Sequence, residues 1–112
     1  MDLDDYQKEA TKTNRFTKHP GCLEQFIYMT LGLVGESGEI AEKVKKIIRD
    51  DNGKISKEKR EEIKKELGDV LRYLSQLSLA LDIPFSEIAK INLKKLKSRK
   101  NRGVICGSGD NR

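Results

Sequence analysis

A chain of 112 residues with 36% hydrophobic, 37% charged and 5% aromatic residues has the size of one domain and the composition of a helical protein with a modest core. Its net charge of +5 is a C-terminal feature: over residues 94–112, Lys94, Lys95, Lys97, Arg99, Lys100, Arg102 and Arg112 face Asp110 alone, which leaves residues 1–93 at −1. No run reaches the ~18 to 20 apolar residues of a membrane span, the start Met1-Asp2-Leu3-Asp4-Asp5 has neither the positive charge nor the apolar core of a signal peptide, and Cys22 and Cys106 fit no zinc or redox spacing, so a cytoplasmic protein with free thiols is expected.

Residues 2–14 read as the first helix. Asp2 is placed to cap it, acids fill its first turn, and Leu3, Tyr6, Ala10 and Thr13 lie along one face. Pro20 and Gly21 interrupt the helical pattern, so residues 15–21 form a connection. His19, the single histidine, lacks the partner residues of a catalytic or metal site and is expected as a loop side chain, with its own pKa the sole basis for any pH response. From Cys22 the chain becomes helical again and runs into LGLVGESGEIAEKVKKII over residues 31–48, whose apolar stripe is Leu33, Ser37, Ile40, Ala41, Val44, Ile47 and Ile48. Gly32, Gly35 and Gly38 recur inside it, each costing up to about 1 kcal/mol of helix stability against Ala. Either a helix or a ligand approaches closely there, or the helix breaks between residues 30 and 36.

Asp50-Asp51-Asn52-Gly53 closes that helix, with Asn52 or Gly53 suited to a left-handed C-terminal conformation. Ser56 can cap a third helix, which runs to about Leu81 on a stripe of Ile63, Leu67, Val70, Leu71, Leu74, Leu77 and Leu81. Pro84 starts a fourth, with Phe85, Ile88, Ala89, Leu93 and Leu96 on its apolar face. Asn92 falls in the middle of that face, and because an unpaired buried amide is costly it should have a specific partner. Lys95 and Arg99 lie on one edge of the same face, where a ligand entering between helices would be met. The ending GVICGSGDNR has three glycines and no helical period. An all-α antiparallel bundle of about four to five helices follows, with residues 1–102 as one domain and 103–112 as a loop or tail.

Two acidic pairs organise this bundle. At ~100° per residue, Glu36 sits on the edge of its stripe and Glu39 roughly 60° further round; Glu66 and Asp69 repeat that offset on the same-handed flank of the third helix. A short connection makes the two helices antiparallel neighbours, and the twofold axis relating them keeps like-handed flanks on one side. Four carboxylates then meet at one rim, which is unfavourable unless a cation or protons compensate. Each pair alone would be an ordinary solvated face, as Glu58, Glu61 and Glu62 are; the matched offset points to metal. Hard oxygen donors with no His or Cys nearby select Mg²⁺ or Mn²⁺, and two ions are possible.

The same residues carry a resemblance. Glu36-x-x-Glu39 in GESGEIAEK and Glu66-x-x-Asp69 in ELGDVLRYL, 26 residues apart, resemble the signature of the MazG-like, all-α nucleoside triphosphate pyrophosphohydrolases, and NLKKLKSRKNRGVICGSGDNR is similar to the ending of small single-domain members. The resemblance runs from about Tyr6 to the end. It implies Mg²⁺-dependent hydrolysis of a (deoxy)nucleoside triphosphate to the monophosphate and pyrophosphate; the charged, aromatic-poor composition points separately to a homo-oligomer, a dimer or tetramer, in which a second subunit completes the core. Glu36, Glu39, Glu66 and Asp69 would be the catalytic metal ligands, with Glu39 preferred for orienting the attacking water. Asn92, Lys95 and Arg99 would meet the substrate, and Tyr73, one turn after Asp69, either stacks on the base or ribose or packs between helices. A related phosphohydrolase acting on phosphoribosyl-ATP or a nucleoside diphosphate is one alternative. Another is a nucleic-acid-binding module using the basic C-terminal segment, although no aromatics are interleaved there for stacking on bases.

Overall fold

The computed structural model describes residues 1–15 and 23–112, and its elements are α1 (Leu3–Thr11), α2 (Leu23–Asp50), α3 (Lys57–Ala80) and α4 (Phe85–Asn101), with no strand among the described residues. The all-α expectation holds. The connection containing His19 and Pro20, and the helix start at Cys22, lie outside the described residues apart from Arg15.

Helix ends follow local chemistry. Asp2 accepts a hydrogen bond from the Asp5 amide at 2.8 Å, and Asp5 returns one from the Asp2 amide at 3.2 Å, a reciprocal cap that fixes the start of α1. Helix α1 stops at Thr11 rather than residue 14, because its last turn tightens: Lys12, Thr13 and Asn14 donate to carbonyls three residues back. That turn swings the Asn14 amide inward to Gln76 Oε1, at 2.8 Å, and leaves Thr13 exposed. At the end of α2, Asn52 (φ 53°) and Gly53 (φ 76°) both adopt the left-handed conformation, and the Gly53 amide closes back on the Ile47 carbonyl at 3.1 Å. Ser56 then caps α3 by accepting from the Lys59 amide at 3.0 Å.

The turn makes α2 and α3 antiparallel. Lys43 meets Glu62 and Glu66, Glu36 meets Asp69, and Gly32 meets Tyr73, so rising numbers on one helix face falling numbers on the other. Helix α2 is continuous through its glycines, so the break allowed for between residues 30 and 36 does not occur. Close approach by another helix explains Gly32 only. A Cβ there would overlap the Tyr73 ring, whereas Gly35 and Gly38 have open space around them.

Helix α1 clamps the elbow between α3 and α4. Pro84, at the start of α4, offers no side-chain cap, and α1 supplies one: Asp4 accepts from the Ser86 amide at 2.8 Å and hydroxyl at 2.7 Å, and Gln7 Oε1 accepts from the Phe85 amide at 3.2 Å. Gln7 also donates to the carbonyls of Ser75 at 3.0 Å and Ile83 at 3.1 Å, so its burial is matched by partners. Buried Gln76 reaches the Thr11 hydroxyl at 3.2 Å on the same side.

The buried apolar side chains among the described residues are few: Met29, Ile47, Ala80 and Phe85. The predicted stripes therefore split. Leu33, Ile40, Ile63, Val70 and Leu77 are half-buried, whereas Val44, Ile48, Leu67, Leu71, Leu74 and Leu81 are exposed. Asn92 is likewise exposed rather than buried, on an open groove of about 200 Å³ lined by Ile88, Ile91 and Lys95, so the burial that demanded a specific partner is not present within the chain. No helix among the described residues is long and apolar enough to cross a membrane. Cys106 is an exposed free thiol.

Candidate metal centre

Glu36 projects from α2, and Glu66 and Asp69 from α3, at the rim of the antiparallel hairpin. One carboxylate oxygen of each lies within 4.8 Å of the others. Glu36 and Glu66 are half-buried and Asp69 is exposed, so the cluster opens to solvent on the Asp69 side. Burial first, then the charge of Asp69, a hydrogen bond with Glu66 and the charges of Glu66 and Glu39, push the Glu36 carboxyl above its ordinary value of 4.5. Glu36 thus sits among like charges that disfavour its ionised form. Three hard oxygen donors on rigid helices, with an open face for water and ligand oxygens, fit a divalent cation of the magnesium type.

Glu39 does not join them. It lies one turn beyond Glu36 on α2, exposed, and acts on the cluster through its charge on Glu36. Tyr73 stands one turn from Asp69 with its ring across the α2 backbone at Gly32 and the Arg72 guanidinium 5.3 Å from its centroid. Its ring is a packing element of the α2–α3 interface.

The α4 residues are elsewhere in the chain. Helix α4 packs on α1 and α3 and, among the described residues, has no contact with α2. Lys95 and Arg99 turn instead to the C-terminal loop: Asp110 Oδ1 accepts from Lys95 Nζ at 2.8 Å and from Arg99 Nη2 at 3.1 Å, and the Asp110 carbonyl accepts from Arg99 Nη2 at 2.7 Å. These contacts, led by the Lys95 hydrogen bond, hold the Asp110 carboxyl below the usual range. Arg112 closes the loop by donating to the carbonyls of Val104 at 3.1 Å, Ile105 at 2.9 Å and Gly109 at 2.6 Å. The segment after Gly103 is therefore a folded loop stapled by arginines, with Gly107 (φ 123°) and Gly109 (φ 88°) making its turns.

One residue beside the triad escaped sequence reasoning. Lys43 Nζ lies 3.7 Å from Glu66 Oε1 and 3.8 Å from Glu62 Oε2. Its position was available as a signal, because it follows Glu36 by seven residues and Glu39 by four and so falls on their flank of α2.

A family model for the MazG nucleotide pyrophosphohydrolase domain matches residues 25–104, which contain the triad and nearly all of α2 through α4. The gene 37 protein of Mycobacterium phage L5 is 51% identical to this chain over 114 residues, across 100% of each. No solved structure matches the chain. With more than two thirds of its length under the family model and carboxylates from both helical motifs brought to one rim, the chain belongs to the MazG nucleotide pyrophosphohydrolase family.

Proposed function

We propose that this chain hydrolyses a nucleoside or deoxynucleoside triphosphate to the monophosphate and pyrophosphate, with Mg²⁺ held by Glu36, Glu66 and Asp69. The observation that carries this reading is the convergence of those three carboxylates within 4.8 Å on two different helices of a family whose members generally depend on divalent metal. A bound divalent cation supplies positive charge for the phosphoryl oxygens and acidifies water. The chain's own groups do the rest. Glu39, outside the triad yet on its flank, takes the proton of the attacking water and aims its oxygen at the α-phosphorus; the bond to the bridging oxygen of the β-phosphate breaks, and pyrophosphate leaves. Glu66 and Asp69, fixed three residues apart on α3, keep the cluster in register as charge redistributes.

Lys95, Arg99 and Asn92 bind the substrate in this proposal. Since α4 does not touch α2 within one chain, they serve a cluster presented by a neighbouring copy. Assembly is supported by area: the chain exposes 8468 Å² at 12.8 kDa, against about 6,300 Å² for a compact monomer of that mass. The surplus of about 2,200 Å² is what a chain gives up in a permanent homo-oligomer. The exposed side chains of Val44, Ile48, Leu67, Leu71 and Leu74 supply the apolar part of that face. Tyr73, held by Gly32, forms a wall of the site rather than a free stacking platform.

The test is pyrophosphate release from a panel of ribo- and deoxyribonucleoside triphosphates, nucleoside diphosphates and phosphoribosyl-ATP, with and without Mg²⁺. Metal-dependent release of pyrophosphate from at least one triphosphate is expected. Turnover confined to the other substrates, or none at all alongside tight, salt-sensitive retention on DNA, would replace this reading.

A further inference from the structure

We infer that Lys43 is a two-position cation: it balances Glu66 while the carboxylate cluster is bare, and swings to the polyphosphate of the substrate once the cluster carries a metal. The inference rests on the metal reading of the triad and adds to it a residue outside the paired acidic positions.

Three observations single out Lys43. Among the described residues it is the sole ion-pair partner of any triad carboxylate. Its pairing is also loose. At 3.7 Å from Glu66 and 3.8 Å from Glu62, Nζ is beyond hydrogen-bond length of both, so neither carboxylate commits its donors. Glu62, moreover, does not depend on it, since Lys59 Nζ donates to Glu62 at 3.2 Å. A side chain half-covered by the hairpin, held by charge and not by a formed hydrogen bond, can leave without stranding Glu62, and a metal ion would take its place beside Glu66.

The α4 cations and Arg72 have other partners. Lys95 and Arg99 hold Asp110 on an element that does not touch α2. Arg72 turns to the Thr13 carbonyl at 3.4 Å and to the face of Tyr73. Among the described residues Lys43 is thus the one ammonium paired with a carboxylate of the rim that phosphate oxygens would approach. Its flexible stem lets a compact charge exchange one oxygen for another, carboxylate for phosphate, in a way a fixed guanidinium fork does not.

Two consequences have opposite signs. An ammonium beside Glu66 opposes a divalent cation, so Lys43→Met, which keeps the length of the stem and removes the charge, should tighten Mn²⁺ binding. Across several ångströms of half-exposed protein the effect is roughly tenfold in Kd. The same change removes a phosphate contact and should raise KM by about tenfold at saturating metal with kcat nearly constant. Lys43→Arg keeps the charge, and its Mn²⁺ affinity should stay within about twofold of wild type.

The experiment titrates Mn²⁺ by electron paramagnetic resonance into full-length wild type, Lys43→Met and Lys43→Arg without nucleotide, and then measures KM for the best triphosphate at saturating Mn²⁺. Tighter Mn²⁺ with a higher KM in Lys43→Met, and near-wild-type metal affinity in Lys43→Arg, is the expected pattern. Unchanged or weaker Mn²⁺ binding in Lys43→Met, or an unchanged KM, overturns the inference and leaves Lys43 a helix-pairing residue. Wild type that binds no Mn²⁺ overturns the metal reading itself, and this inference with it. Thermal unfolding of the metal-free variants shows that each is folded before it is titrated.

Discussion

Tyr73 lies across the backbone of α2 at Gly32, so close that a methyl group at position 32 would run into its ring. The contact sets the spacing of the hairpin just beyond the level of Glu36 and Asp69, and so sets how near those carboxylates come to each other. Gly32→Ala should destabilise the protein by about 1–3 kcal/mol, the usual cost of overpacking, with a melting temperature lower by roughly 4–8 °C for each kcal/mol in a domain of this size. In a Tyr73→Ala background the same methyl group should cost nothing. Gly32→Ala melting with wild type would mean the helices do not need that approach.

Glu36→Gln, Glu66→Gln and Asp69→Asn each delete one donor from the cluster and one charge from a crowded rim. Turnover should fall by more than about a hundredfold in each, beyond the usual loss on changing the shell around a metal's ligands. The metal-free variants should melt no lower than wild type, since like charge has been removed. Pyrophosphate release and thermal unfolding check both halves. Full activity in any two variants contradicts the assignment.

Glu36 gives the metal-free protein a specific pH response. Its folded carboxyl titrates above the ordinary 4.5, so the stability linked to its proton is fully present below about 4.5 and is lost as pH rises through the raised value. Metal binding needs the carboxylate, so the melting-point increase caused by Mn²⁺ should grow across the same interval. Glu36→Gln should flatten both trends. Melting with and without Mn²⁺ from about pH 4 to 8, a range spanning ordinary and raised carboxyl values, reads them directly; a pH-independent metal effect in wild type would remove Glu36 from the ligand set.

Lys95→Ala and Arg99→Ala should act on substrate affinity. Loss of a charge-assisted contact is worth roughly tenfold or more in KM, with kcat near wild type. Steady-state kinetics on both variants checks this, and an unchanged KM in both moves the phosphate site off α4.

Much of this architecture was legible because the signals are local. Asp2, Ser56 and the Asn52-Gly53 pair mark helix ends through bonds to amides and carbonyls a few residues away, and each does so in the structure. The convergence of Glu36, Glu66 and Asp69 follows from helical period and one short turn. Gln7, Ser75 and Gln76 were not legible as interior residues, because their burial depends on hydrogen bonds between α1 and α3 that no sequence period announces. Leu67, Leu71 and Leu74 read as core and stand exposed, since a stripe shows that a face is apolar but not whether its own chain covers it. Asn92, Lys95 and Arg99 share one helix face in sequence, yet their relation to the triad depends on where α4 diverges from the hairpin. Lys43 was hidden by the commonness of lysine on helices; its distance to Glu66 distinguishes it.

The central claim is that two antiparallel helices hold a divalent ion between Glu36, Glu66 and Asp69. A crystal of the full chain soaked in Mn²⁺, with diffraction collected at the manganese absorption edge, addresses it most directly. An anomalous peak bonded to oxygens of those three side chains is the expected result. A map with no peak at that rim, and with the three carboxylates pointing apart into solvent, would contradict it.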